Sequence, residues 1–159
     1  MIEFACVLPF LVLLFVGGFQ LMDAISAYRK VGSTVRTLAD LTTQNTVITD
    51  AQADEILNAS RQVMAPYSPS SAVLRISQIQ VDAFNRATVS WSRALNGAEY
   101  ADGTAVTLPA GLRQPGKYYI FSEITYTYVP RIAPTFIGTI PLTQTLYMSP
   151  RSSAFVAYN

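Results

Sequence analysis

The chain has no histidine and a single cysteine in 159 residues. Without imidazole there is no Ser-His-Asp triad, no Cys-His dyad and no histidine-ligated zinc site. The lone cysteine, Cys6, has no partner in its own chain, which excludes a disulfide framework. Charge is scarce as well. Charged residues make up 13% of the chain, where an average soluble domain has roughly 25%. The 11 basic and 10 acidic residues leave a formal net charge of +1. That balance offers no basic stripe to follow a phosphate backbone, so no nucleic-acid partner is expected. A phosphate-cradling glycine loop and a dinucleotide fingerprint are missing too. These absences predict no enzyme, no cofactor and no metal.

What the chain has instead is apolar surface, and it is unevenly placed. Residues 4–22 (FACVLPFLVLLFVGGFQLM) carry no charge and one polar side chain, Gln20. As a helix this run would span about 28 Å, close to the thickness of a bilayer core. A buried core helix, a cleaved signal peptide and a membrane anchor all fit such a run. The remaining residues are too few to wrap a core helix on every side. A signal peptide needs a basic start and a shorter apolar stretch, whereas here Glu3 precedes a long one. A membrane anchor is therefore expected, dividing the chain into a transmembrane helix (1–22) and a head (23–159). Arg29, Lys30 and Arg36 follow the run, so the positive-inside rule taken alone places the head in the cytoplasm.

Four features of the run bear on assembly. Glu3 is a carboxylate at the head of an apolar helix, costly in lipid unless a cation meets it. Pro9 removes a helix hydrogen bond and tends to kink the axis. Gly17 and Gly18 form a second soft point.

The helical period continues beyond the run. Ile25, Tyr28, Val35, Leu38 and Thr42 recur at helical spacing, which predicts one helix from about Ile2 to Asn45. Thr49-Asp50-Ala51-Gln52 is a capping-box pattern opening a second helix. Its apolar face is Ile56, Leu57, Ser60, Val63 and Met64, and Pro66 ends it. From Val73 the period changes to two. Strands are expected at Val73–Val81, Ala87–Arg93, Tyr118–Val129 and Leu142–Met148, with a short tail strand at Phe155-Val156. Residues 95–117 are rich in turn signals, among them Asn96-Gly97 and Asp102-Gly103. The expected fold is α+β: a long N-terminal helix, a second helix and a four-stranded antiparallel sheet. Glu99 and Asp102 are a weak candidate for holding a cation.

The opening Glu3-Phe4-Ala5 with Pro9, the amphipathic extension through Arg36, Tyr126-Thr127-Tyr128-Val129-Pro130 and Pro150-Arg151 together resemble TadE/TadG-like minor pilins, or pseudopilins, of the tight-adherence (Tad/Flp) type IV pilus. The resemblance touches both ends of the chain. It implies a structural protein that primes, caps or supports a pilus by packing its N-terminal helix against other pilin subunits. Glu3, Phe4, Pro9, Gly17 and Gly18 would be the assembly residues. It implies an inner-membrane stage with the head in the periplasm, or a place in the extracellular filament, and processing by a prepilin peptidase. Family members carry the glutamate at the fifth mature position, so a basic leader and two further residues are expected before Met1. Such a leader would supply the cytoplasmic positive charge and reverse the orientation read from Arg29–Arg36. The alternatives are a major subunit of a larger-headed filament and a stationary periplasmic scaffold.

Overall fold

The fold, obtained as a computed structural model, is described for residues 2–132, 134 and 138–159, with side chains from Val7 onward. One helix, α1, runs from Ile2 to Thr43. At 42 residues it is about 63 Å long. A two-residue strand, β1 (Val47–Ile48), leads into α2 (Asp50–Gln62). The strands β2 (Ala72–Val81), β3 (Ala87–Leu95), β4 (Tyr118–Tyr128) and β5 (Ile140–Met148) follow, and β6 (Ala157–Tyr158) closes the chain. The four long strands form one antiparallel sheet in the order β3-β2-β4-β5. β6 pairs in parallel with β1, so the tail returns to the link between the two helices. This is the α+β layout that the change of period at Val73 predicts.

Local chemistry explains most element ends. Thr49 caps α2 and Gln52 reaches back to the Thr49 amide, completing the capping box. Such a box contributes about 1 kcal/mol. α2 stops at Gln62, before Pro66, because residues 63–65 already turn through short-range backbone bonds. At the β3 end, Asn96 takes a positive φ of 59° and its amide donates to the Ala72 carbonyl at 2.9 Å. A Cβ on Gly97 would sit 2.4 Å from a Val73 methyl, so only glycine lets the chain pass there unshifted.

The sheet is covered on both faces. On one, α1, α2 and the turn after it pack Val31, Val35, Leu38, Leu57 and Met64 against Leu74, Ile76, Ile120, Ile124 and Trp91. On the other, the segment after β3 folds back, and Leu108 covers Ile79, Val81, Tyr119 and Phe121. Alternation along β4 assigns its residues to the two cores: Ile120, Ile124, Tyr126 and Tyr128 to the helix side, Tyr119 and Phe121 to the other. A register shift opposite Gln78 and Ile79, where Ser90 is the extra residue, lets β3 serve both, with Trp91 on the helix side and Ala87 on the other.

Three details depart from the sequence expectations. Ile25 and Tyr28 do not face the head: they are 40% and 49% exposed, while Ala27 and Val31 are fully buried. The helix approaches the sheet closely at this point, and small side chains occupy the contact. Val63 is only half-buried, with Ala53 taking a place on the inner face of α2. The tail strand is Ala157–Tyr158 and not Phe155-Val156, because Val156 is held by side chains of the sheet. Trp91 Nε1 donates to its carbonyl at 3.0 Å, and its amide donates to Gln78 Oε1 at 2.6 Å. Phe155 is left half-exposed against the Tyr118 ring.

Candidate functional site: the junction of the apolar helix and the head

α1 has two environments. Its later half is core. Its earlier half stands clear of the head, with Phe10, Leu13, Leu14 and Phe15 among its exposed side chains. α1 is long and apolar enough to cross a membrane, and only 6% of its most apolar window is buried in the fold. That value excludes a core helix of this chain.

The helix runs without interruption through Pro9 and through Gly17-Gly18. A Cβ at either glycine would meet nothing within 4 Å, so neither is required by packing inside the subunit. The side chains of Glu3 and Phe4 lie outside the described residues.

Where the helix meets the head, a polar cluster forms that sequence reasoning did not assemble. Asp23 is its centre, with its side chain 15% exposed. The Tyr128 hydroxyl donates to one Asp23 carboxylate oxygen at 2.7 Å. The Tyr67 hydroxyl donates to the other at 3.1 Å and also reaches the Asp23 carbonyl at 3.0 Å. The Arg131 guanidinium lies 3.7 Å from the same carboxylate. One turn earlier, the Gln20 amide donates to the Ile132 carbonyl, and Gln20 itself is 8% exposed. Residues from α1, the α2–β2 link and the end of β4 are thus pinned together. Partners more than 40 positions apart leave no local pattern; the only sequence trace is one polar residue, Gln20, inside an apolar run.

Burial and the Asp23 carboxylate both favour the neutral phenol. Burial is the larger cause, and together they push the Tyr128 hydroxyl up to about 12 from an ordinary 10.0. Tyr158, partly buried and donating to Asp50, is also pushed to about 12. A folded-state pKa above the unfolded one contributes stability in full below pH 10, and that contribution is lost as pH rises to about 12. An alkaline titration followed by far-ultraviolet circular dichroism is expected to show the head losing stability across this window. Tyr128→Phe should make the loss shallower.

Several other charged groups pair with one another. Arg93 lies 3.3 Å from Asp54, 3.6 Å from Asp50 and 3.3 Å from Glu99. Glu99 is therefore engaged by an arginine, and among the described residues no group of three or more acidic or cysteine side chains is arranged to hold a metal ion. Arg151 pairs with Asp40 at 2.7 Å, tying the tail to the end of α1. Of the four tyrosines of β4, Tyr119, Tyr126 and Tyr128 are buried and Tyr118 packs on Phe155.

No family model matches the chain, and no curated protein or solved structure matches it significantly. The site's geometry is that of a mechanical joint. It fixes an apolar rod to a folded head.

Proposed function

We propose that the chain is a minor pilin or pseudopilin of the TadE/TadG-like kind, which primes, caps or supports a tight-adherence type IV pilus through its N-terminal helix. One observation carries the reading. A single unbroken helix stands free of the head over its apolar first half and forms the head's core over its second half. A free apolar rod needs either lipid or the rods of neighbouring subunits around it. Lipid tails and protein side chains are similarly apolar, so close packing and charge pairing would decide between them. Glu3 would supply the charge by meeting a neighbour's N-terminal amine in a low-dielectric core. Pro9 and Gly17-Gly18 would let the rod adjust to its neighbours. The open space beside both glycines suits close approach of a second helix.

Gln20 and Asp23 also bear on processing. Both belong to the head's own packing, so a signal-peptide cut near Ala27 would strip Tyr67 and Tyr128 of their acceptor. This supports an anchor that stays attached.

Glu3→Ala is expected to remove the subunit from sheared filaments while leaving the melting of the head unchanged. Immunoblots of the sheared and membrane fractions measure the first, and circular dichroism the second. Filaments that still contain the Glu3→Ala subunit would favour a stationary scaffold. N-terminal sequencing of the native protein from both fractions is expected to place Glu3 fifth.

A further inference from the structure

Just after β4 the chain meets the apolar run of α1: the Ile132 carbonyl accepts the Gln20 amide. Gln20, Leu13, Val16 and Leu21 on the helix, Ile132 after β4 and Ile140 at the start of β5 line one groove of about 450 Å³. The exposed side chains here are Val129 at 49%, Ile132 at 39% and Ile140 at 39%. Between them the sequence reads Ala-Pro-Thr-Phe-Ile-Gly-Thr, with no charge. The one charge on the connection, Arg131, sits level with Asp23, where the apolar run ends, and its side chain is 59% exposed.

We propose that the two ends of this connection are a second membrane contact, with Val129, Ile132 and Ile140 lying in the head-side leaflet of a phospholipid bilayer beside α1. The proposal rests on the reading of α1 as a membrane anchor. Depth is the argument for lipid as the occupant. The helix wall of the groove belongs to the same charge-free run that would cross the bilayer, so once the run is inserted the groove is inserted with it. An interfacial element needs apolar side chains below and a cation at headgroup level, and Arg131 is placed to meet a phosphate. The contact also accounts for the Gln20 amide N–H, though not for its Oε1, which is buried without a partner. A carboxamide in lipid must find a partner within the protein, and the Ile132 carbonyl, which has the same need, supplies one. The joint would thereby set both the depth of the rod and the tilt of the head.

The test uses the full chain in vesicles of phosphatidylethanolamine and phosphatidylglycerol. Single cysteines replace Leu14, Ile132, Ile140 or Phe84 in a Cys6→Ser background, and each carries a nitroxide. Relaxation by oxygen, which concentrates in lipid, is compared with relaxation by a water-soluble nickel chelate. The oxygen-to-nickel ratio at Ile132 and Ile140 is expected to match that at Leu14. It should be severalfold above that at Phe84, which is 77% exposed on the far β2–β3 turn. Val129 provides another labelling site if a label on either isoleucine disturbs the fold. A lipid signal at Leu14 with water signals at Ile132 and Ile140 overturns the proposal and leaves the anchor standing. Closure of both positions to both reagents overturns it in favour of a second copy of the chain covering the groove. A water signal at Leu14 removes the anchor itself, and the proposal with it.

Discussion

Asp23→Ala is expected to cost the head about 3 kcal/mol, because hydrogen bonds to a charged acceptor and the exposure of orphaned donors are both expensive in a buried site. Tyr128 is 2% exposed and Tyr67 9%, so neither hydroxyl can turn to water when the carboxylate goes. Tyr128 has the most to lose, since Asp23 is its hydrogen-bond acceptor. Tyr67 keeps the Asp23 backbone carbonyl at 3.0 Å and should be cushioned. Asp23→Asn retains one oxygen acceptor and should recover part of the loss. Urea denaturation in detergent micelles, read by the fluorescence of Trp91, the only tryptophan, measures all three proteins. Tyr128→Phe combined with Asp23→Ala should cost less than the sum of the two, because both remove the same bond. Additive losses would mean that Asp23 supports the head by another route.

Leu38→Ala should weaken the head by about 3 kcal/mol, within the usual span for a buried leucine. Leu38 is fully buried and lies between α1 and the sheet. Tyr28→Ala, on the same helix, should change stability by no more than about 0.5 kcal/mol, as exposed positions do. Tyr28 is half-exposed and makes no core contact. The pair separates two descriptions of one helix. If Tyr28→Ala proved as damaging as Leu38→Ala, the face of α1 turned to the sheet would be the one that helical spacing alone suggests. Denaturation midpoints at equal slope decide it, since equal slopes report an unchanged unfolded surface.

The misplacement of Ile25 and Tyr28 has a physical source. In a soluble helix the apolar stripe marks the core, because the opposite face must meet water. In α1 that contrast fails. Phe15, Leu21, Met22 and Ile25 are apolar and exposed, while Ala24 and Ala27 face the head. A side chain turned to lipid and one turned to protein obey the same preference, so periodicity cannot tell them apart. Further along, beyond Arg29, the outer face is polar and the reading recovers: Val35, Leu38 and Thr42 are all buried. β1 escaped, and β6 was expected two residues early, for a different reason. Two-residue strands carry too little alternation to register, and their pairing joins Val47 to the distant Ala157 near the end of the chain.

By itself the sequence determined the element order, the free apolar half of α1, the Thr49–Gln52 cap and the four long strands. Each depends on neighbours within a few residues: run length, capping geometry or alternation. Only the tertiary structure decided which face of α1 meets the sheet, that Asp23 gathers Tyr67, Tyr128 and Arg131, and that Gln20 is covered by Ile132. Those outcomes depend on groups 44 to 112 positions apart. A buried polar side chain must find a partner, and composition states that need without naming who meets it. The partner is chosen when the sheet closes on the helix, and that choice turns an apolar rod and a folded head into one jointed subunit.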